Sequence, residues 1–165
     1  MSNYMSCQWL WSTWVKSPIL KSKKLYIVSA CLPQVNKELY ERICSEGTVL
    51  LACPEKESPT HYGKLASMLR SNEEFIEELI IITIDGSPHC FTLQASVNEA
   101  EYILGRKIKR EHYVLVNGTE LISIDPNAIR IARYLHIVNK VMRENPSVVR
   151  ELSRCSLEYV KTQKY

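Results

Sequence analysis

The run Leu-Ile-Ile-Ile-Thr-Ile at residues 79–84 constrains the fold more than any other stretch of the sequence. A strand at a protein surface alternates apolar with polar side chains, whereas this run places apolar side chains on both faces. Such a pattern is typical of a strand in the middle of a parallel sheet that is covered on both sides. A turn signal, Asp85-Gly86, ends the run, and a helical pattern starts a few residues later. We therefore expect a buried central strand whose carboxyl end leads into a loop and a helix.

Two shorter apolar runs, at residues 25–30 and 48–52, predict two more buried strands. The segments between the three runs have apolar residues at helical spacing, which predicts helices at 33–45 and around 62–69, and a short one at 72–77. Strands that alternate with helices form parallel sheets with helices on both faces. The expected fold class is therefore α/β, a three-layer sandwich with a mostly parallel sheet, in which the first strand lies between the second and the third.

The last third of the chain predicts an edge β-hairpin followed by two C-terminal helices. Asn117-Gly118 lies between two strand-like runs within residues 112–124, and Asn-Gly is a strong signal for a two-residue hairpin turn. Asp125-Pro126 is typical of a helix start, and the apolar spacing that follows predicts a helix to about Glu144. A final helix is expected at residues 148–161.

We divide the sequence into an N-terminal arm, residues 1–24, and a single α/β domain, residues 25–165. All three tryptophans, Trp9, Trp11 and Trp14, lie in the arm. They suggest either an aromatic anchor for a membrane surface or a partner protein, or an arm whose rings pack onto the domain. The second interpretation is favoured because the arm lacks the extended apolar face that an interfacial helix needs.

The composition argues against several classes of protein. A formal net charge of +3 at pH 7 is too small to imply a nucleic-acid partner. The sequence has no apolar run long enough to span a membrane, and no secretory signal is recognisable. Six cysteines in a chain without such a signal favour a reducing compartment, so a cytoplasmic protein with free thiols is expected.

Three of the six cysteines follow the three predicted strands at equivalent positions. Cys31, Cys53 and Cys90 each lie in the loop just past a strand, close to a proline. Because the carboxyl ends of neighbouring parallel strands meet at one edge of a sheet, we expect these thiols to lie together, with His89 and His61 as further ligands. Thiolate and imidazole are common zinc ligands, and thiolates also hold iron–sulfur clusters. The sequence therefore predicts a zinc, iron–sulfur or redox-thiol site at this edge.

Other interpretations of these cysteines stay open. Cysteine is among the most often buried residues, so all three are also compatible with inert packing. No Cys-x-x-Cys pair occurs in the sequence. If the thiols are reactive, the positive end of each following helix is expected to lower their pKa values. The sequence has no Gly-x-Gly-x-x-Gly motif, no Walker loop and no complete catalytic set, so whether the protein is an enzyme stays open.

The loop after the central strand resembles that of the DGC-domain proteins, small proteins named for an Asp-Gly-Cys motif and associated with zinc binding. Their pattern is an apolar strand, then Asp-Gly-Cys-Pro-x-x-Cys, then a helix. Four residues here fit that pattern, namely Asp85, Gly86, Pro88 and Cys90. Ser87 stands in place of the first cysteine, and the stretch before the last cysteine is one residue shorter. The resemblance implies a zinc site in which Cys53, His61 and His89 replace the two missing thiols.

The competing hypothesis is a non-catalytic protein-interaction module with structural cysteines. It rests on the tryptophan-containing arm, on the two C-terminal helices and on the lack of a complete catalytic set. The partner is then another protein or a second copy of the chain, bound through the arm or the C-terminal helices. No cofactor is expected under this hypothesis.

Overall fold

The computed structural model describes residues 8–57 and 61–163, with only the backbone of His61 included. The chain divides into two compact units, Met1–Asp125 and Pro126–Tyr165. Within the described ranges, no helix is both long and apolar enough to cross a lipid bilayer.

The first unit is built around one sheet. Its strands are β1 (Gln8–Trp9), β2 (Lys24–Ser29), β3 (Thr48–Ala52), β4 (Glu78–Ile84), β5 (Arg110–Val116) and β6 (Glu120–Ser123). Its α-helices are α1 (Leu32–Val35), α2 (Lys37–Glu46), α3 (His61–Ser71) and α4 (Pro88–Leu104), and a 3-10 helix spans Pro18–Leu20. The strands lie in the order β1-β3-β2-β4-β5-β6. The pair β5–β6 is antiparallel and the other described pairs are parallel.

This architecture confirms the predicted three-layer α/β sandwich. The central strand β4 pairs with β2 on one side and β5 on the other. Alternate residues of β4 enter two separate core clusters. Leu79 and Ile81 lie in a cluster with Leu93 and Val97 of α4, while Ile80 and Ile82 lie in a cluster with Leu39 and Ile43 of α2. Helices therefore cover both faces of β4, which explains why its sequence is apolar throughout.

The N-terminal arm contributes more to the sheet than its sequence indicates. Gln8 and Trp9 form β1, which pairs in parallel with β3 and extends that edge of the sheet. Leu10 and Leu20 are fully buried in the core, and Trp9 packs against it, whereas Trp11 and Trp14 are exposed. The division into an arm and a domain at residue 25 stays a prediction, and residues 1–7 of the arm lie outside the described ranges.

The short helix predicted at residues 72–77 is wrong, because these residues form a turn instead. The side-chain amide of Asn72 donates to the carbonyls of Met68 (2.8 Å) and Val15 (2.7 Å). The Asn72 carbonyl in turn accepts from the N–H groups of Phe75 and Ile76. Asn72 thus supplies partners for backbone groups in the last turn of α3, in the N-terminal arm and in the turn itself, and the chain turns directly into β4.

In residues 126–163 the second unit forms four short helices where two longer ones were predicted. They are α5 (Pro126–Ala132), α6 (Leu135–Glu144), α7 (Pro146–Cys155) and α8 (Leu157–Thr162). The first break falls at Arg133 and Tyr134, whose N–H groups donate to carbonyls three residues back. The second falls at Ser156, whose hydroxyl accepts from the N–H of Tyr159 at 3.1 Å and so begins α8. Ile129 in α5 is buried, whereas no residue of α6 or α7 is.

Candidate thiol site

The adjacent strands β2 and β4 lead to helices on opposite faces of the sheet. Leu39 of α2, which follows β2, packs in the cluster that contains Val28. Leu93 of α4, which follows β4, packs in the cluster that contains Ile27. Such a reversal leaves a crevice at the carboxyl ends of the two strands, and open α/β sheets bind ligands in that crevice. The residues that end β2 and follow β4 are therefore the first place to look for a site.

A hydrogen bond links the two strand ends at this crevice. Ser29, the last residue of β2, is buried, and its Oγ lies 2.9 Å from Sγ of Cys90. Cys90 lies in the first turn of α4, where its N–H donates to Oγ of the N-cap residue Ser87 (3.3 Å). Gly86 has a φ of +74°, a left-handed conformation that favours glycine and lets the chain turn from β4 into α4. Ser29 was not among the predicted site residues, although its place at the end of a buried strand was a usable signal.

The other two predicted cysteines lie in the loops after β2 and β3. Cys31 is exposed at the N-cap of α1, and its carbonyl accepts from the N–H groups of two residues in that helix. Cys53 is half-buried, and its N–H donates to Oε2 of Glu57 at 3.1 Å. The other oxygen of Glu57 accepts from the N–H of Trp11 at 2.9 Å, so the N-terminal arm is bonded to the same loop.

Partial burial is the largest cause that raises the pKa of the Cys31 thiol above its ordinary value. Electrostatic interactions with Cys53, Cys90 and the Glu55 carboxylate raise it further. The expectation that a helix N-terminus lowers the pKa is therefore wrong for Cys31. The helix that follows it, α1, has only four residues, so its positive end offers little to offset the loss of water around a thiolate.

Glu55 is a member of this region that the sequence did not reveal. Its Oε2 lies 3.6 Å from Nδ1 of His89, and both side chains are largely exposed. No sequence pattern singles out Glu55, and only the fold shows that the loop after β3 reaches the start of α4. We define the thiol site as Ser29, Cys31, Cys53, Glu55, His89 and Cys90.

The structure leaves part of the predicted ligand set undecided. His61 is the first residue of α3, but its side chain lies outside what the structure describes. Among the described side chains, no three His, Cys, Asp or Glu residues form a group placed to hold a metal ion. Cys31, Cys53 and Cys90 are near enough to act on one another electrostatically, without the geometry of a closed metal centre.

The comparisons with known proteins identify the family. A family model described as a Rossmann-like domain matches residues 17–164, which is most of the chain. The chain belongs to the Rossmann-like domain family. A protein of Archaeoglobus fulgidus described as an uncharacterized protein is 26% identical over 100 residues, which cover 61% of this chain and 69% of the relative. No solved structure matches the chain. The resemblance to DGC-domain proteins stays a prediction.

Many Rossmann folds bind a dinucleotide through a glycine-rich turn after the first strand, and this Rossmann-like domain does not fit such a ligand. The turn after β2 contains Ala30, Cys31, Leu32 and Pro33, with no glycine to let the backbone approach a pyrophosphate. Pro33 also removes one of the N–H groups that a helix start offers to an anion. The thiol site thus occupies the position that a phosphate cradle takes in dinucleotide-binding members of the fold class.

Proposed function

We propose that this Rossmann-like domain binds a thiophilic metal centre, zinc or an iron–sulfur cluster, at the carboxyl edge of its sheet. The observation that supports the proposal is that Cys31, Cys53 and Cys90 follow three neighbouring parallel strands, so all three lie at one edge of the sheet. Thiolates are the ligands that zinc and iron–sulfur clusters share. His89 and His61 are the candidates for a fourth ligand.

The raised pKa of Cys31 argues against a redox-active thiol at that position. A redox cysteine needs a low pKa, because the thiolate is the reactive form, and Cys31 is the most exposed thiol of the site. A bound metal cation would favour the deprotonated form of each thiol that coordinates it. Glu55, whose Oε2 lies 3.6 Å from Nδ1 of His89, would accept a hydrogen bond from that ring once the loops close and so orient His89 from outside the ligand set.

Binding also requires the loops to close. Because the described side chains do not form a ready group of three ligands, the loops carrying Cys31 and Cys53 have to draw together around the ion. Zinc sites hold their sulfur ligands about 2.3 Å from the metal. The proposal therefore predicts that metal binding orders the edge of the sheet formed by β2, β3 and the start of α4.

The test is metal content after purification of the full chain without oxygen. We expect stoichiometric zinc or iron in the natural sequence, with visible absorbance if the centre is iron–sulfur. Cys90→Ser should lose most of that metal, whereas Cys155→Ser, which changes an exposed thiol in α7, should keep it. Circular dichroism of both variants shows whether loss of metal follows from loss of the fold. Metal-free natural protein, or a Cys90→Ser variant that retains its metal, would contradict the proposal.

A second candidate function is a protein-interaction module, and the exposed rings of Trp11 and Trp14 favour it. Deleting the arm is a poor test, because Leu10 and Leu20 belong to the core. Trp11→Ser with Trp14→Ser in the full chain tests it cleanly, with the exposed Tyr102→Ser on α4 as control. An oligomer detected by light scattering that dissociates only in the tryptophan variant supports this function, and a monomer in every case counts against it.

A further inference from the structure

Helices α6 and α7 each have a continuous apolar side that the second unit itself leaves largely uncovered. The apolar residues recur at spacings of three and four along each helix, which places them on one side. They are Leu135, Ile137, Val138, Val141 and Met142 in α6, and Val148, Val149 and Leu152 in α7. No residue of either helix is buried, and Leu135 is 77% exposed. We call these eight residues the apolar stripe.

The other sides of the same helices carry positive charge. Residues 126–165 contain eight lysines and arginines against three glutamates and no aspartate. In α6, Lys140 and Arg143 fall on the side away from the apolar stripe, and Arg150 and Arg154 do so in α7. The second unit is therefore basic, although the whole chain has a formal charge of only +3.

The apolar stripe and the basic sides together indicate what kind of surface the two helices bind. A second copy of the chain could cover the stripe, but each second unit has eight basic and three acidic side chains, and the repulsion between two units of the same net charge opposes their association. A nucleic acid offers negative charge but no apolar layer to cover a stripe of aliphatic side chains. An anionic lipid surface offers both, because helices with an apolar side, a basic polar side and low overall hydropathy lie in the membrane interface.

We propose that α6 and α7 attach the protein to the surface of membranes that contain anionic lipid. The apolar stripe enters the boundary between head groups and acyl chains, while the lysines and arginines contact lipid phosphates. Each helix has ten residues and so is about 15 Å long, too short to span a bilayer. The attachment is therefore peripheral and weakens at high salt, because salt screens the charge attraction.

The test is co-sedimentation of the full chain with vesicles of phosphatidylcholine mixed with phosphatidylglycerol, against vesicles of phosphatidylcholine alone. We expect binding to the mixed vesicles at low salt and much less to the neutral ones. Leu135→Gln with Leu152→Gln should lower binding about tenfold or more, since two leucines no longer enter the lipid. The matched control, Tyr102→Gln with Ile103→Gln on the exposed side of α4, should bind as the natural sequence does.

A second pair of variants separates charge from apolar contact. Lys140→Gln with Arg143→Gln should weaken binding to the mixed vesicles about tenfold and reduce its dependence on salt. Lys64→Gln with Arg70→Gln on α3 removes the same charge from the first unit and should change little. Equal binding to neutral vesicles, or no binding at low salt, overturns the proposal. So does a dimer, seen by light scattering without vesicles, that dissociates when Leu135 and Leu152 are changed.

Discussion

Strand β4 and helix α6 have equally regular apolar patterns, and they lie in opposite environments. In β4, the residues from Leu79 to Ile82 are all buried. In α6, no residue is buried, although its apolar residues keep strict helical spacing. The difference lies in the neighbours. β4 has a strand on each side and a helix on each face, and of these four elements only α4 follows it directly in the sequence. A pattern therefore predicts an element and its apolar side, but the partner that covers this side is a separate question.

The largest expected effect comes from shortening a leucine to alanine in each of the two regions. Leu79→Ala, at a buried position of β4, should lower the free energy of unfolding by about 2–5 kcal/mol because it leaves a cavity in the core. Leu135→Ala in α6, where the side chain is 77% exposed, should change it by less than about 0.5 kcal/mol. Urea unfolding measures both. A large cost at Leu135 would show that the apolar stripe is covered in solution and would remove the contrast.

A smaller difference in the free energy of unfolding is expected when one ion pair is removed from each unit. Arg110 Nη1 and Glu101 Oε2 lie 2.6 Å apart, and their side chains are only 6% and 15% exposed. Glu101→Gln leaves the buried positive charge of Arg110 without its partner, so it should lower the free energy of unfolding by about 3 kcal/mol. Glu151 and Arg154 in α7 pair at 3.0 Å with both side chains exposed, so Glu151→Gln should cost less than about 0.5 kcal/mol. Equal costs in urea unfolding would contradict the assignment of buried and exposed charge.

The smallest effect at neutral pH concerns two tyrosines. The hydroxyl of the buried Tyr26 donates to Oε2 of Glu46 at 2.6 Å, so Tyr26→Phe should cost about 1 kcal/mol. Tyr134→Phe, at an exposed ring before α6, should cost less than about 0.5 kcal/mol. Measured by urea unfolding at pH 7, equal costs at the two positions would contradict this expectation.

The contribution of Tyr26 to the free energy of unfolding also depends on pH. Burial, and then the hydrogen bond and charge of Glu46, raise its pKa well above the ordinary value of about 10. The folded state therefore keeps the phenol proton at a pH where the unfolded chain loses it. This contribution to stability is complete below about pH 10 and falls as the pH rises above it. Tyr26→Phe should make that alkaline loss less steep, and a slope unchanged by the substitution would show that other groups cause it.

The sequence predicted the parts of the fold that depend on burial on both faces or on turn chemistry. The strands β2, β3 and β4, their order and the hairpin at Asn117-Gly118 are all present. The prediction failed where a helix ends without a glycine or proline signal. The amide of Asn72 bonds carbonyls of Met68 and Val15, and Val15 lies far from it in the sequence. The break at Arg133 has neither glycine nor proline, so the continuous apolar spacing gave no sign of it.

The edge of the sheet that carries the three cysteines was predictable from the sequence, whereas the side-chain contacts at that edge were not. Cysteines after three successive strands were sufficient to locate the edge of the sheet, because parallel strands bring equivalent ends together. The roles of Ser29 and Glu55 depend on how α4 meets β2 and on how the loop after β3 reaches α4. The raised pKa of Cys31 depends on the same arrangement. These are distances between loops, and no local pattern in the sequence encodes them.

The strand order also has a consequence for how the chain folds. Ile27 of β2 pairs with Leu50 of β3 and with Ile81 of β4, so the sheet is incomplete until β4 has been synthesised. Until then, the apolar edge of β2 has no partner, and unpaired strand edges promote aggregation. Pairing between strands distant in sequence is slow, whereas helices that contact their immediate neighbours form quickly. The joining of β2 to β4 is therefore expected to limit the folding rate of the first unit, and α5 to α8 to form early once they leave the ribosome.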